Sequence, residues 1–438
     1  MGLKTPEKVG KLQRTLYARA KEQPERRFHQ LYDKVWREDV LEFAYRKCKA
    51  NGGAAGVDRQ SFQDIEAYGQ DKWLGELTRE LKDKSYQSAA VRRVWIDKAN
   101  GGQRPLGVPT IKDRVVQTAV MLVIEPIFEA DLQPEQHGYR PRRSAQDAVQ
   151  AVHSLINGGH REVVDADLSG YFDSIPRKEL MQSVARRICD RQLLKLIKMW
   201  LQTPVVDDSG KGQDKPKGGG KRGTPQGSPI SPLLANLYFR RFLLGWRKLG
   251  PKQCQARIVS YADDFVICCQ REAGTALQAA REILGRLGLQ LNETKTCVRR
   301  LPEESLDFLG YTLGICHRAG SGAPYLGTRP SRKSISKICR EIHRETRPWS
   351  GLRTPEHEVA RLNRKLVGWA QYFCLGSVSK AYRAVDAHTR WRLRQWLRRK
   401  HKKRGSKGTR QFPDEYLYEK LGLVRLTERT RDLPWAKA

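Results

Sequence analysis

The segment RIVSYADDFVICC, Arg257 to Cys269, constrains this chain more than any other, because it sets two adjacent aspartates between two short β-forming runs. The runs 257–261 and 265–269 predict the strands of a hairpin, connected by Ala262, Asp263 and Asp264. Adjacent carboxylates at a tight turn repel each other unless a cation neutralises them, and all-oxygen sites suit Mg²⁺. A solvated turn is the simpler alternative, since Asp is favoured in turns. The hairpin alone therefore does not establish a metal site, and a further carboxylate beside it would support one.

A third carboxylate follows a separate predicted strand. In EVVDADLSGYFDSIP, residues 162–176, Asp167 ends a valine-rich run. Beside the hairpin it would complete a site for two metal ions, which stabilise an in-line displacement at a phosphate. The backbone carbonyl of Leu168 is a further candidate ligand. Asp165 and Asp173 are competing carboxylates, and we interpret Asp173 as structural, near the start of the next helix.

The charge of the chain indicates a polyanionic partner. Its 438 residues include 82 Lys and Arg against 48 Asp and Glu, a formal net charge of +34. A balance this basic favours association with nucleic acid. An anionic membrane surface is the alternative, but we find no lipidation motif and no apolar run long enough to span a bilayer. The first residues lack the apolar core of a signal peptide, so we expect a cytoplasmic protein without membrane partners, its nine cysteines reduced.

The chain changes character along its length. Residues 1–50 are basic and helical in pattern, and NGGAAGV at 51–57 is a natural break. From about 58 to 315, short apolar runs alternate with helical patterns, which is typical of an α+β domain. The glycine-rich stretch 207–223 predicts a loop or hairpin tip. After about 325 the pattern is helical and strongly basic.

The C-terminal part carries a run of positive charge. Between Trp391 and Arg410 there are ten Lys or Arg residues and no acid. At helical spacing, one face would present four cations to phosphates, which we predict to be nucleic-acid-binding: Arg390, Arg394, Arg398 and Lys402. A solvated surface is the alternative interpretation.

Several long motifs appear in an order that resembles the reverse transcriptases encoded by bacterial group II introns, which also serve as splicing maturases. The resemblance covers most of residues 50–315, and the segment LNRKLVGWAQYF (362–373) is similar to the family's thumb or maturase region. The motifs are WIDKANGGQRPLGVPTIKDRVVQ (95–117), HGYRPRRSAQDA (137–148), ADLSGYFDSI (166–175), GTPQGSPISPLLAN (223–236), YADD (261–264), LGLQLNETKT (287–296) and DFLGYT (307–312).

The resemblance implies a right-hand polymerase of the α+β class. Fingers and a palm with an antiparallel sheet would be followed by an α-helical thumb and a basic C-terminal segment. We expect an N-terminal extension at 1–55, fingers and palm at 56–320, a thumb or maturase domain at 321–385, and a basic nucleic-acid-binding segment at 386–438.

The resemblance also implies roles for single residues. Asp167, Asp263 and Asp264 match the carboxylates that hold two Mg²⁺ ions, with Mn²⁺ as a substitute. Lys295 matches a lysine placed to protonate the leaving pyrophosphate. The remaining matches concern the incoming nucleotide: Lys98 and Arg104 would grip the triphosphate, Phe172 would exclude a 2′-hydroxyl, and Gln226, between Pro225 and Gly227, would pack at the nucleotide and template.

The implied partners are an RNA template, a DNA primer, dNTPs and a group II intron RNA, in the bacterial cytoplasm. Two departures from the family pattern concern the fingers, with Asp97 in place of proline and His137 in place of phenylalanine. The chain ends at Ala438 without the paired cysteines of an HNH endonuclease, which favours the endonuclease-lacking type. Two alternatives stay open, a free-standing reverse transcriptase serving the host in DNA repair or defence, and an RNA-binding splicing cofactor with incidental polymerase activity.

Overall fold

The computed structural model describes residues 3–97, 102–206, 213–214, 220–225, 227–318, 320–347, 353–402 and 408–432. Helices and sheets are interspersed through these ranges, in keeping with the predicted α+β class. All nine cysteines are free thiols. None of the helices in the described ranges is both long enough and apolar enough to cross a membrane.

Residues 3–82 are mainly helical. Its helices are α1 (Glu7–Glu22), α2 (Tyr32–Val35), α3 (Glu38–Asn51), α4 (Phe62–Tyr68) and α5 (Gln70–Lys82). The third of these ends where the NGGAAGV break begins, as predicted. Ser61 starts α4 with a capping box, because its side chain and that of Asp64 each bond the other's backbone amide.

A four-stranded sheet of order β2-β1-β4-β5 follows. It consists of β1 (Val91–Asp97), β2 (Gln103–Val108), β4 (Val205–Val206) and β5 (Gln213–Asp214). The last two strands pair antiparallel, with β4 just before the stretch 207–223 that was predicted to be a loop or hairpin tip and β5 inside it. Beside this sheet runs α6 (Ile111–Glu129), which is buried along most of its length because its residues are largely apolar on every side.

The central sheet has the order β6-β7-β3-β8 and is antiparallel throughout. Its strands are β3 (Glu162–Asp167), β6 (Arg257–Tyr261), β7 (Asp264–Cys269) and β8 (Cys297–Arg300). The surrounding helices are α7 (Ala145–Asn157), α8 (Tyr171–Ser174), α9 (Arg177–Ala185), α10 (Arg191–Gln202), α11 (Ser231–Leu249) and α12 (Ala273–Arg286). The apolar residues of the central strands are buried against these helices, and this core holds the sheet in place.

The C-terminal part joins a small sheet to a helical bundle. The sheet, of order β11-β10-β9, contains β9 (Leu306–Phe308), β10 (Tyr311–His317) and β11 (Pro324–Pro330). The bundle contains α13 (Arg332–Glu345), α14 (Pro355–Tyr372), α15 (Ser379–Lys400) and α16 (Gly408–Gln411), followed by a π-helical turn at Tyr416–Lys420 and a 3₁₀ segment at Leu426–Asp432. Leu362 and Leu366 are fully buried in its core.

Two of the expected domain boundaries do not separate packed units. The boundary at 320/321 falls between β10 and β11, which pair along their whole lengths. The boundary at 385/386 falls inside α15, and one apolar cluster runs from Ile338 to Leu426 across it. A change in charge along a helix marks no break in its backbone. The expected thumb (321–385) and the expected basic segment (386–438) therefore share one helical bundle.

Candidate active site

The two adjacent aspartates lie at the tip of the β6–β7 hairpin. Tyr261 pairs with Asp264, so the turn consists of Ala262 and Asp263 alone, one residue shorter than the predicted connection. Ala262 has φ +59°, the left-handed conformation that two-residue hairpin turns require and that residues with a Cβ adopt rarely. The mildly strained turn sets the two aspartates in different positions, Asp263 in the turn and Asp264 on a strand.

Asp167 reaches the same edge of the central sheet. It ends β3 directly opposite Asp264 of β7, so the predicted third carboxylate lies beside the hairpin. Asn292 donates its backbone N–H to the Asp167 carbonyl (2.8 Å) and its side-chain amide to Asp167 Oδ2 (3.2 Å). Lys295 Nζ donates to the same oxygen at 2.8 Å. The hydrogen bond to Asp167 is the main cause that raises the pKa of Lys295.

The electrostatics of this edge reflect crowded negative charge. Desolvation, followed by repulsion from Asp263, Asp167 and Asp165, raises the pKa of Asp264 to about 6, although the residue still reaches solvent. Desolvation is also the main cause that raises the pKa of Asp165 to about 6. Within the described ranges, no group of three or more His, Cys, Asp or Glu side chains is already gathered as a metal site. The carboxylates instead share a sheet edge where a cation would relieve their repulsion.

Residues 136–138 pack against β6 and the turn of the β6–β7 hairpin. Gln136 forms a parallel bridge with Ser260 of β6, and the His137 amide donates to the Ser260 carbonyl (2.8 Å). Gly138 then passes so close to the turn that a Cβ there would lie 2.5 Å from the Ala262 nitrogen. Any side chain at this position would therefore displace the turn.

Asn236 on α11 fixes that segment. Its side-chain amide donates to the Gly138 carbonyl (2.7 Å), and its own carbonyl accepts from Gln136 Nε2 (2.8 Å). No role was predicted for Gly138 or Asn236. Their position in the motifs at 137–148 and 223–236 is the only sequence feature that points to them. The departure at His137 also has a physical reason. Burial is the main cause that lowers its pKa to about 4, so the ring is neutral and takes the place of an apolar side chain.

Phe172 follows Asp167 in the chain and lies on α8. Its side chain is 7% exposed, and its carbonyl accepts a hydrogen bond from the Thr224 amide (2.7 Å). That bond ties α8 to the segment containing Pro225 and Gly227. Gly227 has φ +101°, and a Cβ there would lie 2.2 Å from the Gly107 carbonyl oxygen of β2. The loop thus closes directly onto the β1–β2 hairpin.

Three of the predicted nucleotide-binding residues lie wholly or partly outside the described part of the chain. Lys98 and Gln226 lie outside the described residues. Arg104 lies on β2, where its backbone pairs with Ile96, and its side chain is outside the description. Leu168, the candidate carbonyl ligand, is buried and forms an isolated antiparallel bridge with Leu291.

A cleft of about 880 Å³ lies between α13, α14 and the β9–β10 turn; Asp167, Asp263 and Asp264 are not among the residues that line it. Aromatic side chains form part of its wall and cations line its rim; they are Trp369, Tyr372 and Phe373, with Lys333, Lys337, Arg340, Arg364 and Lys365. Tyr372 links the cleft to the site, because Asp264 contributes to the rise in its pKa, after burial and Tyr261. A chain of nucleotides would find both stacking surfaces and phosphate partners there.

The four predicted nucleic-acid-binding residues near the C-terminus do not form one free face. Arg390 donates to Asp414 Oδ2 at 2.8 Å, and Arg394 forms an ion pair with the other oxygen of the same carboxylate. Arg398 is half-buried on α15, and Lys402 lies exposed beyond its end. The run 391–410 contains no acid and therefore suggested uncompensated positive charge. Asp414, four residues after the run, folds back onto α15 and neutralises part of that charge.

Comparison with known proteins identifies two regions of similarity. Residues 96–313 match the family described as reverse transcriptase (RNA-dependent DNA polymerase), and residues 333–412 match the group II intron, maturase-specific domain. The first match contains every candidate active-site residue named above, and the second contains α13 to α16.

Curated relatives agree with these matches. The chain is 32% identical to protein YkfC of Escherichia coli (strain K12) over 346 residues, covering 70% of the chain and 88% of the relative. It is 32% identical to the group II intron-encoded protein LtrA of Lactococcus lactis subsp. cremoris over 236 residues, covering 53% of the chain and 38% of the relative. A putative COX1/OXI3 intron 1 protein of Saccharomyces cerevisiae is 26% identical over 330 residues, 38% of its own length.

Proposed function

The chain belongs to the family of group II intron-encoded reverse transcriptases, and on that premise we propose that it polymerises DNA at Asp167, Asp263 and Asp264. Proteins of this family are RNA-directed DNA polymerases, and the maturase-specific domain adds a role in intron splicing. The observation that carries the proposal is the pairing of Asp167 with Asp264 on neighbouring strands, one residue from Asp263 in the turn.

We infer that these three carboxylates hold two Mg²⁺ ions, with Mn²⁺ as a substitute. The donor set fits, because hard divalent ions take carboxylate oxygens and their charge would relieve the repulsion that raises the pKa of Asp264. The Leu168 carbonyl is a further candidate ligand. When bound, such ions lower the pKa of the primer 3′-hydroxyl and stabilise the charge of the displaced pyrophosphate.

Lys295 is suited to hold a proton for the leaving pyrophosphate. Its ammonium lies 2.8 Å from Asp167 Oδ2, and its raised pKa keeps it protonated at neutral pH. An acid this close to the carboxylates would be within reach of the pyrophosphate oxygen as its bond to the α-phosphorus breaks. The same ammonium offsets part of the negative charge around Asp167.

Phe172 would select the sugar. Its ring contacts that of Tyr171 (centroids 5.8 Å apart), and its backbone is held by the hydrogen bond from the Thr224 amide to its carbonyl. A fixed ring below the sugar leaves no room for a 2′-hydroxyl, so dNTPs would be preferred over rNTPs. Lys98 and Arg104 would hold the triphosphate, with Pro225, Gln226 and Gly227 beside the base; the close packing of Gly227 on β2 supports this grouping.

These assignments correspond to a right-hand polymerase. The central sheet would be the palm, the β1–β2 hairpin part of the fingers, and α13 to α15 the thumb. The RNA template and DNA primer would enter through the 880 Å³ cleft, whose cations can contact phosphates while its aromatic residues stack on bases. Tyr372 in the cleft wall is close enough to Asp264 for that carboxylate to contribute to the rise in its pKa, after burial and Tyr261, and this supports a path from the cleft toward the carboxylates.

The C-terminal bundle would hold the intron RNA. Of the four predicted residues, Arg398 and Lys402 are the better candidates, because Arg390 and Arg394 are already paired with Asp414. Phosphate contacts of this kind position an RNA without reading its sequence.

The double variant Asp263→Asn/Asp264→Asn tests the catalytic assignment. We expect primer extension to fall below detection while RNA affinity stays close to that of the parent, because the carboxylates hold metal and the basic surfaces hold RNA. Asp71→Asn/Asp83→Asn, two exposed aspartates at the ends of α5, is the control with the same change of charge. Normal extension by the first variant would disprove the assignment.

A further inference from the structure

Trp391 is an exposed aromatic residue on a helix that does not need it for packing. Its side chain is 54% exposed, the largest value among the large apolar and aromatic side chains in the described part of the chain. The apolar stripe of α15 lies elsewhere, at Leu393, Trp396 and Leu397, which are at most 2% exposed. An indole this exposed contributes little to the core and is typical of a binding surface.

The surroundings of Trp391 hold the ring in a fixed setting. The His388 ring lies 6.1 Å from it, and the Arg392 guanidinium lies 5.5 Å from its centroid. Both neighbours are tied to α13, because His388 Nε2 bonds the Cys339 carbonyl and Arg392 donates to the Thr346 carbonyl (3.0 Å). The indole is therefore presented by side chains that cannot move freely, which lowers the entropy lost when a ligand stacks on it.

The charge around the indole is positive. The cations Arg392, Arg347 and Arg399, together with burial, lower the pKa of the exposed His343 on the same side. Arg399, two turns further along α15, is exposed.

The acids on α13 and α15 are engaged elsewhere. Glu341 and Glu345 pair with Lys365 and Arg361 of α14. Asp386 is buried and accepts from the amides of Leu426 and Thr427. Among the described residues of the two helices these are the only acids, so the surface around Trp391 keeps its positive charge.

We propose that Trp391, together with Arg399 two turns further along α15, is a docking site for an unpaired base of a folded RNA. The indole would stack on the base and the Arg399 guanidinium would contact a nearby phosphate. Both residues lie within the match to the maturase-specific domain, so the inference rests on the proposed intron-RNA partner. The surface differs from the face predicted from the sequence, where Arg390 and Arg394 are paired with Asp414.

The test compares Trp391→Ala, Trp391→Phe and the control Tyr68→Ala. Tyr68 is 48% exposed on α4, so Tyr68→Ala removes a comparably exposed ring from a different part of the chain. The probes are a stem-loop RNA with a large unpaired loop and a blunt RNA duplex. We expect Trp391→Ala to lose about tenfold in affinity for the stem-loop, little for the duplex, and nothing in primer extension on a short template. Trp391→Phe should restore most of the loss, because it keeps an aromatic face.

Salt dependence separates stacking from charge. Trp391→Ala should leave the slope of log affinity against log salt unchanged, whereas Arg399→Gln should make it shallower. Equal affinity of Trp391→Ala and Tyr68→Ala for the stem-loop, or an equal loss on the duplex, would overturn the inference. Failure of the proposed polymerase function would be seen separately, as absence of extension by the unaltered protein.

Discussion

At the scale of single residues, the candidate site depends on carboxylates held where ionisation is unfavourable. Asp264 and Asp165 both have a pKa of about 6, with desolvation as the main cause in each case. The folded protein therefore keeps protons on these groups at a pH where the unfolded chain has released them. Each group favours the folded state below the ordinary pKa of Asp, near 4, and that contribution is lost as the pH rises through 6.

Asp264→Asn should accordingly change stability in a pH-dependent way. Without divalent metal, we expect the variant to unfold at a higher temperature than the parent at pH 7.5, because a repelled charge has been removed. The difference should disappear near pH 4.5, where the parent carboxylate is protonated. Thermal unfolding in EDTA across this range measures it. A difference that is constant with pH, or of opposite sign at pH 7.5, would contradict the assigned cause.

Adding Mg²⁺ at pH 7.5 provides the matched control for this experiment. The ion should stabilise the parent more than Asp264→Asn, because the variant has lost one carboxylate ligand. Equal stabilisation of the two proteins would place the bound ion elsewhere.

Phe172 allows a prediction about substrate choice. Phe172→Val should increase incorporation of rNTPs relative to dNTPs by at least about tenfold, because the smaller side chain leaves space for a 2′-hydroxyl. Extension with each nucleotide pool gives the ratio of kcat/KM values. Because the ring is 7% exposed and packs on Tyr171, the variant should also lose about 1–3 kcal/mol of stability. An unchanged nucleotide preference in a folded variant would show that another residue excludes the hydroxyl.

At the scale of elements, the geometry of the site comes from contacts between segments far apart in the chain. The hairpin turn is braced by Gly138, which α11 holds through Asn236. The carboxylate of Asp167 is oriented by Asn292 and Lys295 from the segment before β8. Three strand-end or loop segments therefore meet at one sheet edge, and each is fixed by hydrogen bonds to backbone groups.

Gly138→Ala tests the brace. The added methyl group would lie 2.5 Å from the Ala262 nitrogen, so the turn must shift. We expect kcat for extension to fall at least about tenfold, since small displacements of reacting groups are costly, while KM for primer–template changes little. Gly75→Ala on α5, where a Cβ meets nothing within 4 Å, is the control. Full activity in Gly138→Ala would show that the turn tolerates the shift.

The sequence predicted the local features of this site better than the contacts between its parts. Both hairpin strands were anticipated from β-forming runs, and the pairing of Tyr261 with Asp264 shortened the turn by one residue. Asn236 could not be recognised, because its role depends on a carbonyl about a hundred residues away. The compensation of Arg390 and Arg394 by Asp414 was missed for the same reason: α15 and the segment after it pack together, which charge counts along the chain do not reveal.

At the scale of the whole molecule, positive charge is spread over both matched regions. The net charge of +34 includes cations on the cleft rim, on α13 and on α15. Many of the acids are already engaged in ion pairs, as Glu345 is with Arg361 and Lys365. A protein with this distribution can hold a primer–template in one place and a folded RNA in another, with phosphate contacts supplying most of the affinity in both.

Salt dependence should distinguish the two nucleic-acid surfaces. Affinity for structured RNA should fall steeply between 50 and 200 mM salt, by about 10³ if some six to ten phosphates are contacted, because each contact releases counterions. Neutralising Lys337, Arg340 and Arg364 on the cleft rim should reduce the slope for a short primer–template and leave the slope for folded RNA nearly unchanged. Neutralising Arg398 and Lys402 should do the reverse. Filter binding of both ligands at fixed Mg²⁺, with the parent and with each of the two variants, measures these slopes. A nearly flat dependence for the parent would rule out an electrostatic footprint, and equal changes in both slopes would mean that one continuous surface serves both ligands.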